Sequence, residues 1–453
     1  MVKESAFEAK SVVVLGVGLT GRAVARLMKK MGKKVLVNDQ NQTLPDDVKE
    51  EFDRLGIQTV LGGHPLSLLD GDVDVLIKNP GIPYKNPLVA EAIRRGIPVI
   101  TDAELAGLLS EAPIIGITGS NGKTTTTKMT DHILSQAFGK RVKLGGNIGI
   151  PIADRLPELS PEDFFLLELS SFQLEGTKKL RPYIAAITNI YGAHYDYHGS
   201  RQAYLAAKMK ITANQGPDDY LIYNAHDKEL SQLVHEHSKA KLLPFDAYQF
   251  FDKGACVKDD RIYYDGKEVM KTTDLVLPGV QNIENALVAL SVAKILGVDN
   301  ETILHSLKSF YGVKHRLQRI DDYHGAHVYN DSKATNIAAT TIALKSFNQP
   351  IRWIAGGLDR GNGFEDLSPY VSHVASAVVY GQTRQKLADF CREMAIPVTV
   401  VDNLEEAVKL TAASVQEGEI LLFSPACASW DQFKTFEQRG DCFIHYMDQL
   451  KGE

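Results

Sequence analysis

PIIGITGSNGKTTTT (113–127) decides how this chain is built. An apolar run with strand character enters Gly119, and beyond Gly122 the residues Thr130, Ile133, Leu134 and Ala137 mark one helical face. A strand, a glycine-rich turn and a helix in that order aim backbone N–H groups at phosphate oxygens. The lysine behind the turn neutralises those oxygens, and the hydroxyl after it ligates magnesium. The full G-x-x-x-x-G-K-[ST] spacing is not met, because Ile117 stands at the first glycine position; Gly119 is expected to supply the turn instead. A merely structural glycine turn would leave the GKTTTT run without a purpose.

Upstream, SVVVLGVG (11–18) reads as a buried strand, followed by a helix whose face carries Val24, Leu27, Met28 and Met31. Gly16-x-Gly18-x-x-Gly21 joins the two, and Asp39 ends the next strand, KKVLVND (33–39). That is the dinucleotide fingerprint, in which a helix N-terminus faces a diphosphate. NAD or FAD, a different diphosphate-linked nucleotide, or packing alone would each fit the pattern. VDVLIKNPG (73–81) is a further strand ending in a turn.

Downstream, FFLLELS (164–170), IAAITNI (184–190) and DYLIYNA (219–225) read as strands, and KDDRIYYDGKEV (258–269) as an antiparallel hairpin, so this sheet is expected to be mixed. A third set begins near Gly312 with HVYNDS (327–332), IRWIAGG (351–357), SAVVYG (376–381), PVTVV (397–401) and EILLFSP (419–425). Strands alternating with helices imply parallel sheets. The expected fold is α/β with three domains in series. They are a Rossmann-like domain over 1–112, a P-loop ATPase-like domain with a mixed sheet over 113–311, and a Rossmann-like α/β domain over 312–453.

The 453 residues exceed one ordinary core, and 44% hydrophobic with 23% charged residues suits a globular protein. A net charge of −6 offers no footprint for nucleic acid or an anionic membrane. Four scattered cysteines, Cys256, Cys391, Cys427 and Cys442, read as reduced thiols. The apolar stretch at Val12–Leu15 runs into glycines rather than a cleavage site, and no apolar run approaches the roughly 18 residues of a membrane span. A cytoplasmic monomer is expected.

Glu168 closes the apolar run Phe164–Leu167, where an unpaired carboxylate is costly and a metal ion would remove the cost. His194 lies just beyond a strand end and reads equally as a structural residue or a ligand. Lys208 shares a helical face with Tyr204 and Ile211; spacing alone favours a snorkelling or ion-paired lysine.

Taken in order, TGSNGKTTTT, ELSSFQLE (168–175), TNIYGAHYDYHG (188–199) and AYLAAKMKI (203–211) resemble the Mur ligase family, which adds amino acids to the peptidoglycan precursor. LPGVQNIENALVAL (277–290), HRLQ (315–318), NDSKATN (330–336) and SPACASWDQFKTFEQRG (424–440) extend the likeness over nearly the whole chain. The last two blocks and GVGLTG look like the D-glutamate-adding branch.

The resemblance implies an ATP-dependent ligase that joins D-glutamate to UDP-N-acetylmuramoyl-L-alanine through an acyl phosphate. Gly18, Leu19, Thr20, Gly21 and Asp39 would bind the UDP part, with Asn79 and Gly81 lining the same site and Asn147 meeting the sugar-phosphate end. Gly119, Ser120, Asn121, Gly122, Lys123, Thr124 and Thr125 would hold the ATP phosphates. Asn282 and Asn285 would contact adenine, and Arg316 and Asp331 would reach the nucleotide. Thr124, Glu168, His194 and a carbamylated Lys208 would serve two magnesium ions. Lys333, Thr335, Arg360, Ser429 and Phe436 would hold D-glutamate, Arg360 standing where some relatives have lysine. Lys123, His194 and Lys208 would be the catalytic set; His194 and Asp331 are the candidates for the general base. A sister ligase with another amino acid, a dehydrogenase on Gly16–Gly21 and a nucleotide-gated binding module are the alternatives.

Overall fold

The computed structural model describes residues 7–192 and 195–451. The chain divides into two compact units, one running to Met270 and adding Glu284–Ser306, the other made of Lys271–Ile283 and the chain from Leu307 onward.

The first unit holds two sheets. The N-terminal sheet contains β1 (Ser11–Leu15), β2 (Lys34–Asp39), β3 (Gln58–Leu61), β4 (Val75–Lys78) and β5 (Val99–Ile100), in the order β3-β2-β1-β4-β5. All its pairs are parallel. Its strands read as continuous apolar runs because both faces are covered. Val12 and Val14 face Ala23, Val24, Leu27 and Met28 of the helix Leu19–Lys30, while Val13, Leu15 and Leu76 face Leu88 and Val89 on the other side. Met31, expected on that helical face, is the C-cap residue and packs, partly buried, against the same cluster. A Cβ on Gly21 would sit 1.8 Å from the Gly16 carbonyl oxygen, so only glycine lets the helix start this close to the strand.

The central sheet contains β6 (Ile114–Thr118), β7 (Val142–Gly146), β8 (Phe164–Glu168), β9 (Ile184–Ile187), β10 (Tyr220–Asn224), β11 (Lys241–Asp246), β12 (Ala255–Lys258), β13 (Arg261–Tyr264) and β14 (Lys267–Lys271). Its order is β14-β13-β12-β11-β10-β9-β6-β8-β7. The pairs from β7 through β12 are parallel and β12–β13 is antiparallel, so the sheet is mixed as expected. Thr130, Ile133 and Leu134 are buried on the helix Lys123–Phe138, but Ala137 is exposed in its last turn, where Phe138 packs on Phe164 of β8 instead, ring centroids 4.9 Å apart. Two polar anchors join the N-terminal and central parts. Arg26 pairs with Asp154 at 2.6 Å, and the Glu104 carboxylate accepts backbone N–H groups from Lys178, Lys179 and Leu180.

The second unit carries β15 (Gln318–Tyr323), β16 (Ala326–Asn330), β17 (Ile351–Gly356), β18 (Val374–Tyr380), β19 (Val398–Val400) and β20 (Ile420–Phe423), ordered β15-β16-β20-β17-β18-β19. Only the β15–β16 edge pair is antiparallel. Trp353 is fully buried here and donates its indole N–H to the Ser424 carbonyl at 2.9 Å. Truncating it to alanine costs about 3–5 kcal/mol. Among the described residues no helix is long and apolar enough to cross a membrane.

Candidate active site

Strand order brings the central residues together. β6 lies between β8 and β9, so the loop after Thr118, the end of β8 at Glu168 and the turn after Ile187 share one sheet edge. That edge is the carboxyl end of three adjacent parallel strands, where open α/β sheets bind ligands.

The loop Gly119–Gly122 is held from outside, leaving its inner surface for a ligand. Ser120 N–H donates to the Asn189 carbonyl at 3.0 Å, Asn121 N–H to the Asn189 side-chain oxygen at 2.8 Å, and Thr188 Oγ1 to the Asn121 carbonyl at 2.7 Å. Gly119 packs so tightly on Thr188 that a Cβ there would lie 1.9 Å from its hydroxyl. The helix that follows begins at Lys123 with Gly122 as N-cap and no side-chain cap, in contrast to the helices capped by Ser170, Asp227 or Asn336. Its first-turn N–H groups therefore have no capping side chain and suit an anion. Thr124 is half-buried and Thr125 buried in this first turn.

Lys123 Nζ lies across the loop, donating to the Gly119 and Ser120 carbonyls at 2.8 and 2.9 Å. Lys208, from the helix Arg201–Met209, donates to the same Gly119 carbonyl at 2.7 Å. It is 2% exposed, and no snorkelling is possible from there. Burial, with Lys123 close by, drives its pKa well below the ordinary lysine value. Tyr204 stacks under it at 4.9 Å and shares a 2.6 Å hydrogen bond with Ser120 Oγ.

Glu168 is 1% exposed; its Oε1 accepts from Asn147 Nδ2 at 3.1 Å, and Oε2 is buried with no hydrogen-bond partner. A carboxylate oxygen in that state fits a cation. His194 lies outside the described residues. Asn285 belongs to this unit and accepts from Thr126 Oγ1 at 2.8 Å, beside Gly122.

The N-terminal glycines lie at the switch point between β1 and β4, a geometry that suits an anion. A Cβ on Gly18 would lie 2.8 Å from Asn79 Nδ2, so Asn79 closes the crevice opposite the loop, with Gly81 two residues on. Asp39 accepts from Val17 N–H at 2.7 Å and from Asn41 N–H at 2.8 Å, which orders the glycine loop. Gly18 caps the helix without a side-chain bond; Leu19 and Thr20 open its first turn, Leu19 largely exposed.

In the second unit the predicted residues gather at the carboxyl ends of β16, β17 and β20. Asp331 follows β16; Leu317 N–H and Ser424 Oγ donate to its two oxygens at 3.0 and 2.9 Å, and burial raises its pKa to about 7. Arg316 Nε is buried without a partner in the same unit. Lys333 Nζ lies 5.2 Å over the Phe436 ring, with Thr335 two residues on. Arg360 follows β17 and stacks on Trp430 at 5.0 Å, next to the buried Ser429. Asn282, in the Lys271–Ile283 segment of this unit, donates to the Pro278 carbonyl. Cys427 is buried beside Thr383, its pKa raised by burial to about 11, so it is an inert small residue rather than a nucleophile.

Three family models match this chain. They are the Mur ligase MurD-like N-terminal domain over 10–101, the Mur ligase middle domain over 117–293 and the Mur ligase glutamate ligase domain over 315–427. The chain belongs to the Mur ligase family. It is thus an ATP-dependent amide-bond-forming ligase. The UDP-N-acetylmuramoylalanine–D-glutamate ligase of Geobacillus kaustophilus is 46% identical over 98% of this ligase and 99% of its own length. That of Latilactobacillus sakei is 46% identical over 98% of each chain. Among solved structures, the UDP-N-acetylmuramate–alanine ligase of Thermotoga maritima matches with TM-score 0.58 at 21% identity, covering 98% of this chain and 100% of that one. A MurF ligase from Thermotoga maritima in complex with ADP matches with TM-score 0.57 at 17% identity, covering 92% and 95%. These two share the fold.

Sequence reasoning did not single out Thr188, Asn189 or Tyr204, which shape the phosphate loop. Their types carry no signal of their own; only the adjacency of β9 and the helix Arg201–Met209 to β6 selects them.

Proposed function

We propose that the chain adds D-glutamate to UDP-N-acetylmuramoyl-L-alanine in cell-wall precursor synthesis, with ATP going to ADP and phosphate. The observation that carries the reading is the convergence of Lys123 and Lys208 on the Gly119 carbonyl, beside the unsatisfied Glu168 oxygen, at the edge of β6 and β8. Full-length identity to D-glutamate ligases supports the amino acid. No comparison supports a dehydrogenase.

Amide formation from a free carboxylate in water is uphill. The substrate carboxylate oxygen attacks the γ-phosphorus, the bond to ADP breaks, and an acyl phosphate forms. Both reactants are anionic, so Lys123 and the uncapped N–H groups at Gly122–Thr125 have to offset their repulsion. The D-glutamate amine, deprotonated, then attacks the acyl carbon and inorganic phosphate leaves.

Thr124, Glu168, His194 and Lys208 as a carbamate would hold magnesium, which would screen phosphate charge. The fit rests on Glu168 Oε2. A lysine held neutral by burial attacks carbon dioxide through its nitrogen lone pair and loses a proton, which turns Lys208 from a neutral amine into an anion. Lys333, Thr335, Arg360, Ser429 and Phe436 take D-glutamate, Arg360 pairing with its side-chain carboxylate. Gly18–Gly21, Asp39, Asn79, Gly81 and Asn147 take the UDP-linked substrate. Asn282, Asn285, Arg316 and Asp331 serve the nucleotide. The division 1–112, 113–311 and 312–453 gives each ligand most of its residues from one domain, with Asn147, Arg316 and Asp331 as the exceptions, and the spans of the three family models support it.

The deciding assay is phosphate release with ATP, magnesium and UDP-N-acetylmuramoyl-L-alanine, comparing D-glutamate with other amino acids. Release with D-glutamate alone is expected. Release that ignores the UDP-linked acid would overturn the reading.

A further inference from the structure

β4 ends at the switch point with Lys78, which is 1% exposed. Its three ammonium hydrogens go to the Pro80 carbonyl at 3.1 Å, the Ile82 carbonyl at 2.9 Å and the Tyr197 hydroxyl at 3.0 Å. Tyr197 Oη also reaches the same two carbonyls, at 3.0 and 3.2 Å. The rings of Tyr84 and Tyr197 lie 4.7 and 5.7 Å from Nζ. Dipoles and π-faces, rather than a bonded carboxylate, hold this buried charge. Burial lowers its pKa to about 8.

An apolar side chain would fill that space with less desolvation cost. What the ammonium does that an apolar group would not is draw two carbonyls of one turn inward. That turn is the far wall of the N-terminal crevice. Asn79 closes on Gly18, and Ile82 Cδ1 lies 3.0 Å from where a Cβ on Gly16 would stand. Tyr197 comes from the central part of the unit, in the helix Tyr195–His198, three residues after His194. Its ring meets Phe172 of the ELSSFQLE segment at 4.4 Å.

We infer that Lys78 and Tyr197 are positioning residues for the UDP-linked substrate: together they set the Pro80–Ile82 turn against the glycine loop and tie it to the segment that follows His194. The inference rests on the proposed assignment of the Gly16–Gly21 crevice to UDP. Neither residue touches the ligand. They act through the carbonyls they hold.

The test is calorimetric titration of wild type, Tyr197→Phe and Lys78→Met with UDP-N-acetylmuramoyl-L-alanine and, separately, with ADP. Tyr197→Phe removes one oxygen from an otherwise intact ring and serves even where Lys78→Met fails to fold. It is expected to weaken the UDP-linked ligand about three- to tenfold, the net scale of one ordinary hydrogen bond, and to leave ADP affinity within about twofold. In steady state, KM for the UDP-linked substrate rises while KM for D-glutamate holds. Unchanged binding of the UDP-linked ligand by Tyr197→Phe, or equal weakening of both ligands, would overturn the inference. Wild type that binds ADP but not the UDP-linked substrate would overturn the crevice assignment itself, and the inference with it.

Discussion

Lys208 Nζ lies 2.7 Å from the Gly119 carbonyl, although 89 residues separate them. The contact puts a second lysine on the phosphate loop, where Lys123 already donates to the same oxygen. Burial presses Lys208 to lose its proton, and repulsion from the Lys123 ammonium on the same carbonyl adds to that pressure. Lys208→Ala is therefore expected to lower turnover more than about a hundredfold while circular dichroism and melting stay close to wild type. Lys208→Arg keeps a charge but no reactive amine, and it should be as inactive. Wild-type turnover from either variant sinks the carbamate proposal. Degassed, carbonate-free buffer is expected to reduce wild-type activity reversibly.

Glu168 offers a stability test that does not depend on turnover. Gln in its place keeps an acceptor for Asn147 and removes an uncompensated buried charge. In magnesium-free buffer Glu168→Gln should be more stable by about 1–3 kcal/mol, and it should lose magnesium-dependent phosphate release. A lower denaturation midpoint than wild type would contradict this.

Asp331 predicts a pH dependence. Its folded pKa, about 7, lies above the unfolded value of roughly 4, so the folded state holds the extra proton between them. Stability from this group is fully present below about pH 4 and is lost as pH rises toward about 7, by something on the order of 1–4 kcal/mol. Stabilities of wild type and Asp331→Asn from denaturant titrations should differ in pH slope between about pH 4 and about pH 7 and run parallel outside that window. Parallel curves across the whole range would refute the shift.

Arg360 and Trp430 predict a selective effect on the amino acid. An exposed cation–π contact is worth about 0.5–1 kcal/mol, so Trp430→Leu should raise KM for D-glutamate about two- to fivefold and leave KM for ATP alone. Equal changes in both constants would point to general loosening of the second unit instead.

Much of this molecule could be read from local order along the chain. A strand, a glycine turn and a helix are neighbours in sequence, so PIIGITGSNGKTTTT and GVGLTG announced both anion sites, and alternation of strands with helices announced the three parallel-rich sheets. Glu168 was legible for a related reason, since a carboxylate at the end of an apolar strand needs a partner wherever the strand goes. Lys208 was misread from spacing alone. A helical face shows which residues lie together, but not that the face packs against a loop 89 residues away. Ala137 failed likewise, because periodicity does not show that Phe138 rather than Ala137 meets the sheet in the last turn.

What the sequence by itself determined is the chemistry available: two glycine loops of phosphate-binding pattern, a lysine and hydroxyls behind one of them, and the family blocks that name the reaction class. Tertiary structure alone decided which groups meet. Only the order β9-β6-β8 puts Asn189, Gly119 and Glu168 on one edge, and only packing inside the first unit brings Tyr197 to Lys78. The physical reason is that backbone hydrogen bonding and turn geometry are settled within a few residues. Burial, and the charge states it forces on Lys208, Lys78 and Asp331, depends on atoms supplied by distant parts of the chain.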